Sequence, residues 1–430
     1  MKSYIKDENC YRFQVDKAGL LNIYLIIYCV YTSIPAFPYY LQPIFRFCII
    51  LTLLLPVTVF FMEQSISIHS IIQIGSFFLL PTLMYFGYWW QKNSYVSYMA
   101  STLQFFLPLS VISFIKELTI KEKRSTLIAI LLCYIVTAIT TIIGNIEFPQ
   151  ASRWMATLEG AKREYRQHNI GGYDFVYSLV FLSPMLTHVI RTMQISRLKK
   201  LALILCLVLF FECLLTAGYT TAVLLFVLSN LFVLLVSSKH NGALIFISII
   251  TVLMFVFRVE IGNWMTNYLT SVFMNIDSEI GTRISELGNF LTSGGLEGDL
   301  GSRLLQYRKS LECFFEDPFL GAIISRGEIG GHSEAFDLLG ETGLVGAALY
   351  SYIIIKARND MRNSENISIH NVGLILFIFL LFMMIFHTVQ SIPALLSIVF
   401  LYPLLFNNES NAMKETEQEK IVIKRCKYYK

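Results

Sequence analysis

Charge is what this sequence has least of. Only 15% of its 430 residues are Asp, Glu, Lys or Arg, against roughly 25% in a soluble domain, and that scarcity excludes an ordinary water-soluble enzyme. The net charge is only +4, so nothing points to a nucleic-acid partner. Cysteine is sparse and scattered: Cys29, Cys48, Cys133, Cys206 and Cys213 fall in apolar runs, Cys10 and Cys426 near the termini, and Cys313 in a long loop. That spacing supports neither a disulfide framework nor a metal cluster. No phosphate-binding glycine motif, no HExxH and no aspartate-rich metal motif occurs, so a metal or nucleotide cofactor is not expected. No internal or inverted repeat is found. The N-terminal stretch of mixed charge precedes a full-length apolar run, and no cleaved signal peptide is expected.

What is present is apolar sequence. Hydrophobic residues make up 55% of the chain and the mean hydropathy is +0.58, so lipid is the expected solvent for most of it. A membrane span needs about 20 mostly apolar residues. Runs of that kind lie near 19–37, 44–62, 70–90, 96–115, 125–143, 173–190, 201–217, 219–237, 243–257, 340–356, 370–387 and 390–406. The pairs 201–237 and 370–406 must be joined by very tight turns. Helix is the expected form throughout, because backbone groups in hydrocarbon have to be satisfied within their own segment. The segment 340–356 is short and follows an amphipathic stretch, so its helix could begin outside the lipid.

The basic residues orient these spans. Most of the 34 Lys and Arg fall into alternate connections if the N-terminus is inside, as the positive-inside rule requires. The fold expected is thus an all-α polytopic membrane protein of about 12 transmembrane helices with both termini in the cytoplasm. Residues 1–257 hold spans 1–9 with an outer segment at about 144–172, 258–339 form one large outer loop containing amphipathic helices, 340–406 hold spans 10–12, and 407–430 are a cytoplasmic tail.

Chemistry has two places to sit. The first outer segment carries Arg153, Lys162, Arg163 and Arg166 among aromatic residues before a Gly171-Gly172 hinge. Guanidinium groups take phosphate oxygens in pairs and aromatic faces stack on sugars, which suits an anionic, sugar-bearing lipid. The same segment reads equally as an interfacial helix whose Trp154 and arginines anchor it to headgroups. In the large loop, Leu304, Tyr307, Leu311, Phe314 and Phe315 recur on one helical face, with Ser302 as N-cap and Asp317-Pro318 as terminator. Arg303 would then lie in the first turn, where a cation opposes the helix dipole. Binding an anion such as a diphosphate would account for it, as would a tolerated surface arginine. Further on, Gly330-Gly331 leads into His332, and Ser333 can cap a helix with Glu334 and Asp337 in its first turn. A histidine at such a helix start can take a proton from a sugar hydroxyl near neutral pH, although a lone histidine is more often structural. His69, His168, His188, His240, His370 and His387 have no comparable setting.

The run from Gly301 to Gly346, with Arg303, Asp317-Pro318, Gly321, His332-Ser333, Leu338-Leu339 and Glu341-Thr342-Gly343-Leu344-Val345-Gly346, resembles the signature region of the bacterial O-antigen ligase and polymerase superfamily. About 45 residues carry the likeness directly, and the layout of about 12 spans with one large loop extends it to the whole chain. The segment from Asn145 to Tyr177, with Pro149, Arg153 and GGYDFVY, looks like the corresponding region of Wzy-type polysaccharide repeat-unit polymerases. The resemblance implies a GT-C-like fold in the bacterial inner membrane, with the large loop in the periplasm. It implies metal-independent transfer of a glycan from an undecaprenyl-diphosphate carrier, with no cofactor. His332 would be the catalytic residue and Arg303 and Arg153 would hold the diphosphate, with Arg163, Arg166, Arg308 and Glu334 as further candidate substrate contacts. The partners implied are the lipid-linked oligosaccharide, the bilayer, a chain-length regulator and a flippase.

One departure matters. Ligases of this kind commonly carry a Ser-Arg-Gly triplet at the eighth span, whereas this chain reads LLTAGYTTAVLL from Leu214 to Leu225. The resemblance therefore leans toward a polymerase of O-antigen or capsular repeat units, with the ligase as alternative. A lipid-oligosaccharide flippase is the alternative of another class, and Glu212, the one acidic residue read as deep in a span, is the feature that would serve it.

Overall fold

A computed structural model describes residues 30–40, 68–88, 120–157, 161–192, 195–235, 256–275, 278–293, 298–362 and 367–387, with Ile23, Ile26, Ile27 and Val389. The expected spans at 44–62, 96–115 and 390–406, most of 243–257, and the tail lie outside the described residues. Every extended element among those described is a helix. In chain order they are α1 (Ala36–Tyr40), α2 (Ile68–Tyr88), α3 (Ile120–Glu147), α4 (Ala151–Thr157), α5 (Ala161–Gln167), α6 (Tyr173–Thr192), α7 (Arg197–Thr216) and α8 (Thr220–Leu235). Then follow α9 (Arg258–Trp264), a π-helical turn (Met265–Leu269), α10 (Thr270–Met274), α11 (Ser278–Ser293), α12 (Gly298–Glu316), α13 (Ala322–Ser325), α14 (Glu334–Arg362) and α15 (Ile367–Phe386).

Three stretches are long and apolar enough to cross a membrane: Ser125–Glu147, Tyr173–Thr192 and Glu334–Ile355. Thr221–Leu235 and His370–Phe386 are apolar but shorter. Helix α7 has the length, but Arg197, Lys199, Lys200 and Glu212 dilute its apolar run. An α-helical membrane protein is what these helices describe. The tight connection expected near 217–219 is there: Ala217 and Gly218 make the turn, with Gly218 at φ 72°, a conformation open to glycine at little cost.

Helix α6 is the axis of the bundle. Its residues are buried without interruption from Phe175 to Val189, the polar Ser178, Ser183, Thr187 and His188 included. The main core gathers α2, α3, α7, α8, α14 and α15 around it. Polar side chains bind α6 to α8 inside this apolar setting. Asn230 donates from Nδ2 to Ser183 Oγ at 2.8 Å, its Oδ1 accepts from Thr187, and Arg191 donates to the Val233 carbonyl at 2.6 Å. Interhelical hydrogen bonds of this kind hold membrane helices together where no hydrophobic effect separates helix from lipid.

Helix α14 is broken within the run Glu341–Gly346. Gly343 adopts φ 60°, ψ −158° inside it, and the amides freed by the break are taken up by the turn after α12. Leu344 N donates to Pro318 O at 2.8 Å and Val345 N to Phe319 O at 3.3 Å. Asp317 Oδ1 shapes that turn by accepting from Phe319 N at 3.1 Å and Leu320 N at 2.8 Å. A Cβ at Gly343 would strike the Phe319 carbonyl, and one at Gly321, which has φ 57°, would strike the Gly340 carbonyl. The Asp-Pro and Glu-Thr-Gly halves of the motif are therefore two sides of one close backbone contact.

Candidate functional site

Two expectations about α12 need correction. The helix begins at Gly298, so Ser302 lies inside it and Arg303 occupies its second turn, where the dipole no longer opposes a cation as directly. The helix does end at Asp317-Pro318 as expected. Its buried stripe runs through Tyr307, Ser310 and Cys313, while Leu304 and Phe315 are exposed, because the neighbouring elements pack on the side that carries the small residues. Burial pushes the Cys313 thiol up.

Ser333 caps α14 as its position predicts, its Oγ accepting from Phe336 N at 3.3 Å. Around that cap the Gly330–Ser333 loop is fastened at several points. Gly330 N donates to Ser310 Oγ at 2.9 Å, Gly331 N to Asp337 Oδ1 at 3.1 Å and Ser333 N to Asp337 Oδ2 at 2.9 Å. Ser310 Oγ in turn donates to Asp337 Oδ1 at 2.6 Å. The loop also meets the end of α15: Ser333 Oγ donates to Met384 O at 3.2 Å, and Glu334 N to His387 O at 3.0 Å. His332 itself is exposed and within electrostatic reach of Asp337. Glu334 is buried, within electrostatic reach of Tyr350 further along its own helix.

His387, which has no distinctive sequence setting, sits in an aromatic cluster. Its ring centroid is 5.1 Å from Tyr177 and 6.0 Å from Tyr173, and Tyr219 lies 5.9 Å and 6.0 Å from the same two rings. Tyr173 and Tyr177 stand at the start of the axial helix α6, so the cluster sits on the most buried element of the bundle. Arg303 and Tyr307 are both close enough to act electrostatically on Tyr173. Tyr307 also stacks against Phe336 at 5.3 Å and reaches the Phe386 carbonyl at 3.4 Å, which ties α12 to both α14 and α15.

Arg153 arrives at this cluster from the other side. Its side chain lies over Gly218, the Cδ 3.1 Å from where a Cβ would stand, beside Tyr219. The segment that carries it is built on Ser152. Asn145 Nδ2 donates to Ser152 Oγ at 2.8 Å and Ser152 N to Asn145 Oδ1 at 3.1 Å. Ser152 Oγ donates to Gly171 O at 2.7 Å, and Tyr219 OH to Ser152 O at 2.8 Å. Ala151, Met155, Tyr165 and Ile170 form a small core beneath.

The other expected contacts are placed as follows. Arg166 pairs with Asp174 at 3.5 Å, next to Tyr173 in sequence. Arg163 lies in α5. Arg308 is exposed and bonds Glu312 at 2.7 Å on its own helix. Glu212, read as deep in a span, is one turn from the end of α7 and exposed. Among the described residues no group of His, Cys, Asp and Glu has a metal-binding arrangement.

The site thus joins Arg153, Arg303, the Tyr173, Tyr177, Tyr219 and His387 rings, and the His332 loop, at one end of the helix bundle. Two cations beside a cluster of tilted and edge-on aromatic rings can bind an anionic, ring-bearing ligand, and an exposed histidine lies at its edge. No protein-family profile and no curated protein matches the sequence at a significant level.

Proposed function

We propose that this protein polymerises undecaprenyl-diphosphate-linked oligosaccharide repeat units into O-antigen or capsular polysaccharide at the periplasmic face of the bacterial inner membrane. The reading includes about 12 spans with both termini in the cytoplasm. The observation that carries it is the approach of two arginines, from segments far apart in sequence, to one aromatic cluster beside the His332 loop. A lipid-linked diphosphate sugar needs that combination: cations for the diphosphate, aromatic faces for the rings, and a proton acceptor for the attacking hydroxyl.

In this mechanism a hydroxyl oxygen of the acceptor glycan attacks the anomeric carbon of the donor. The bond from that carbon to the phosphate oxygen breaks, and the carrier diphosphate leaves with the electron pair. His332 takes the hydroxyl proton, and Arg303 and Arg153 stabilise the charge that grows on the leaving diphosphate. The leaving group is already good, so positioning the two substrates supplies most of the catalysis.

The Leu214–Leu225 segment favours polymerase over ligase. Ligases of the family it resembles commonly carry an arginine there. In this protein the turn there is Ala217–Gly218–Tyr219 and has no arginine of its own.

In a strain lacking the gene, H332A and R303A variants should insert at normal levels and leave single repeat units only. Long-chain polymer from either variant at normal levels would overturn the assignment. A deletion that leaves bare lipid A core, rather than core capped by one repeat, would indicate the ligase. Loss of export of lipid-linked units in E212A with a silent H332A would indicate a transporter.

A further inference from the structure

We propose that Asp337 is the positioning residue for His332, a role that rests on the polymerase reading above. The residue is 3% exposed, and a buried carboxylate is tolerated only when its oxygens are well satisfied. Its bonds fall on either side of one residue. Oδ1 accepts from Gly331 N at 3.1 Å and Oδ2 from Ser333 N at 2.9 Å, so the amides of the two residues on either side of His332 are held by the two oxygens of a single rigid group. Ser310 Oγ completes the arrangement, donating to Oδ1 at 2.6 Å and accepting from Gly330 N at 2.9 Å. Four consecutive residues, Gly330 to Ser333, are thereby pinned to α12 and to the first turn of α14.

Capping alone does not require this. Ser333 already satisfies the first turn through Phe336 N, and a carboxylate reaching back to the capping residue's own amide would complete an ordinary reciprocal cap. The bond to Gly331 N lies two residues further back and serves only the loop. Charge-assisted bonds are roughly twice as strong as neutral ones, and a displacement of about 1 Å in a reacting group can cost about a hundredfold in rate. Asp337 acts through His332 and has no role assigned to it at the substrate.

The experiment uses the full chain in nanodiscs, with lipid-linked repeat units extracted from a strain lacking the gene. D337N should lower kcat about 10- to 100-fold and leave KM within about twofold. The H332A/D337N double variant should be no slower than H332A, because the second change acts through a group already removed. Hydrogen exchange over 327–336 should accelerate in D337N while exchange over 344–355 stays as in wild type. A D337N enzyme with normal kcat, losses that multiply in the double variant, or exchange that rises along the whole of α14 would each overturn the inference. If H332A keeps full activity, the polymerase reading falls and takes this inference with it. If H332A is inactive and D337N is normal, only the inference falls. Should D337N fail to insert, S310A removes the hydroxyl that couples the carboxylate to Gly330, and about a threefold loss of kcat with the same exchange pattern is expected; unchanged kcat in S310A overturns the inference.

Discussion

The two segments that bring Arg153 and His332 to the site are built in opposite ways. The Phe148–Gly172 segment, which carries Arg153, has its own small core and is tied down by neutral bonds at many points. Thr141 Oγ1 accepts from Gly171 N at 2.8 Å, Asn169 Nδ2 donates to Thr140 Oγ1 at 3.0 Å, and Asn169 Oδ1 accepts from Ala36 N at 3.2 Å, besides the bonds centred on Ser152. The Gly330–Ser333 loop contains no apolar side chain and is fastened chiefly through the Asp337 carboxylate, with the Ser310 hydroxyl, the Met384 carbonyl and close backbone contact at Gly330 as its other points. Redundant fastening tolerates the loss of a member. A loop held from one charged centre and a few sites of backbone contact fails at any of them.

The largest expected effect comes from breaking the second design at a backbone contact. A Cβ at Gly330 would collide with the Gln306 carbonyl, which belongs to a rigid helix and cannot yield, so G330V should push the loop off α12. On the polymerase reading proposed above, polymerisation should fall by about 100-fold or more while the protein remains inserted, read as the loss of the long-chain ladder on a gel. Near-normal chain length would show that the loop does not need its seat on α12.

Next is G343A. Alanine would be strained at φ 60° and its Cβ would strike the Phe319 carbonyl, for a cost of about 2–4 kcal/mol. The midpoint of thermal unfolding in detergent should drop by several degrees, and an unchanged midpoint would mean that the break in α14 is not fixed by this contact.

A smaller effect is expected from S152A in the redundantly fastened segment. It removes the donor to the Gly171 carbonyl and the partner of the Asn145 amide, worth about 1–3 kcal/mol. The remaining bonds should keep Arg153 near Gly218, so polymerisation should fall by less than about tenfold. A loss as deep as that of G330V would erase the contrast between the two designs.

The smallest effect belongs to R308A. The Arg308 and Glu312 side chains are exposed, and such a pair contributes under about 1 kcal/mol. Chain length and thermal midpoint should both stay at wild-type values. A shortened polymer would instead make Arg308 a substrate contact.

Much of this arrangement was legible in single segments. The apolar runs near 70–90, 125–143, 173–190, 201–217, 219–237 and 370–387 coincide with helices α2, α3, α6, α7, α8 and α15. The stop at Asp317-Pro318, the turn at Ala217-Gly218 and the Ser333 cap were equally plain, because each depends on residues within a few positions of one another. The start of α12 was misplaced since a capping serine was available at Ser302 and an earlier start was just as compatible with the local pattern.

His387 shows where sequence reasoning stopped. Nothing beside it distinguishes it, and its place among Tyr173, Tyr177 and Tyr219 depends on three helices whose ends meet only after the bundle packs. Asp337 was legible as a favourable first-turn acid, a local property, but not as the group that holds the amides of both residues beside His332, which needs the loop to fold back on α12. By itself the sequence determined that the chain is apolar, that its elements are helices, and which residues cap and end several of them. Those outcomes follow from short-range hydrogen bonding and from the chemistry of lipid as solvent. Only the tertiary structure decided which loops share a corner, because contacts such as Tyr219 to Ser152 or Glu334 to His387 join segments that no local preference relates.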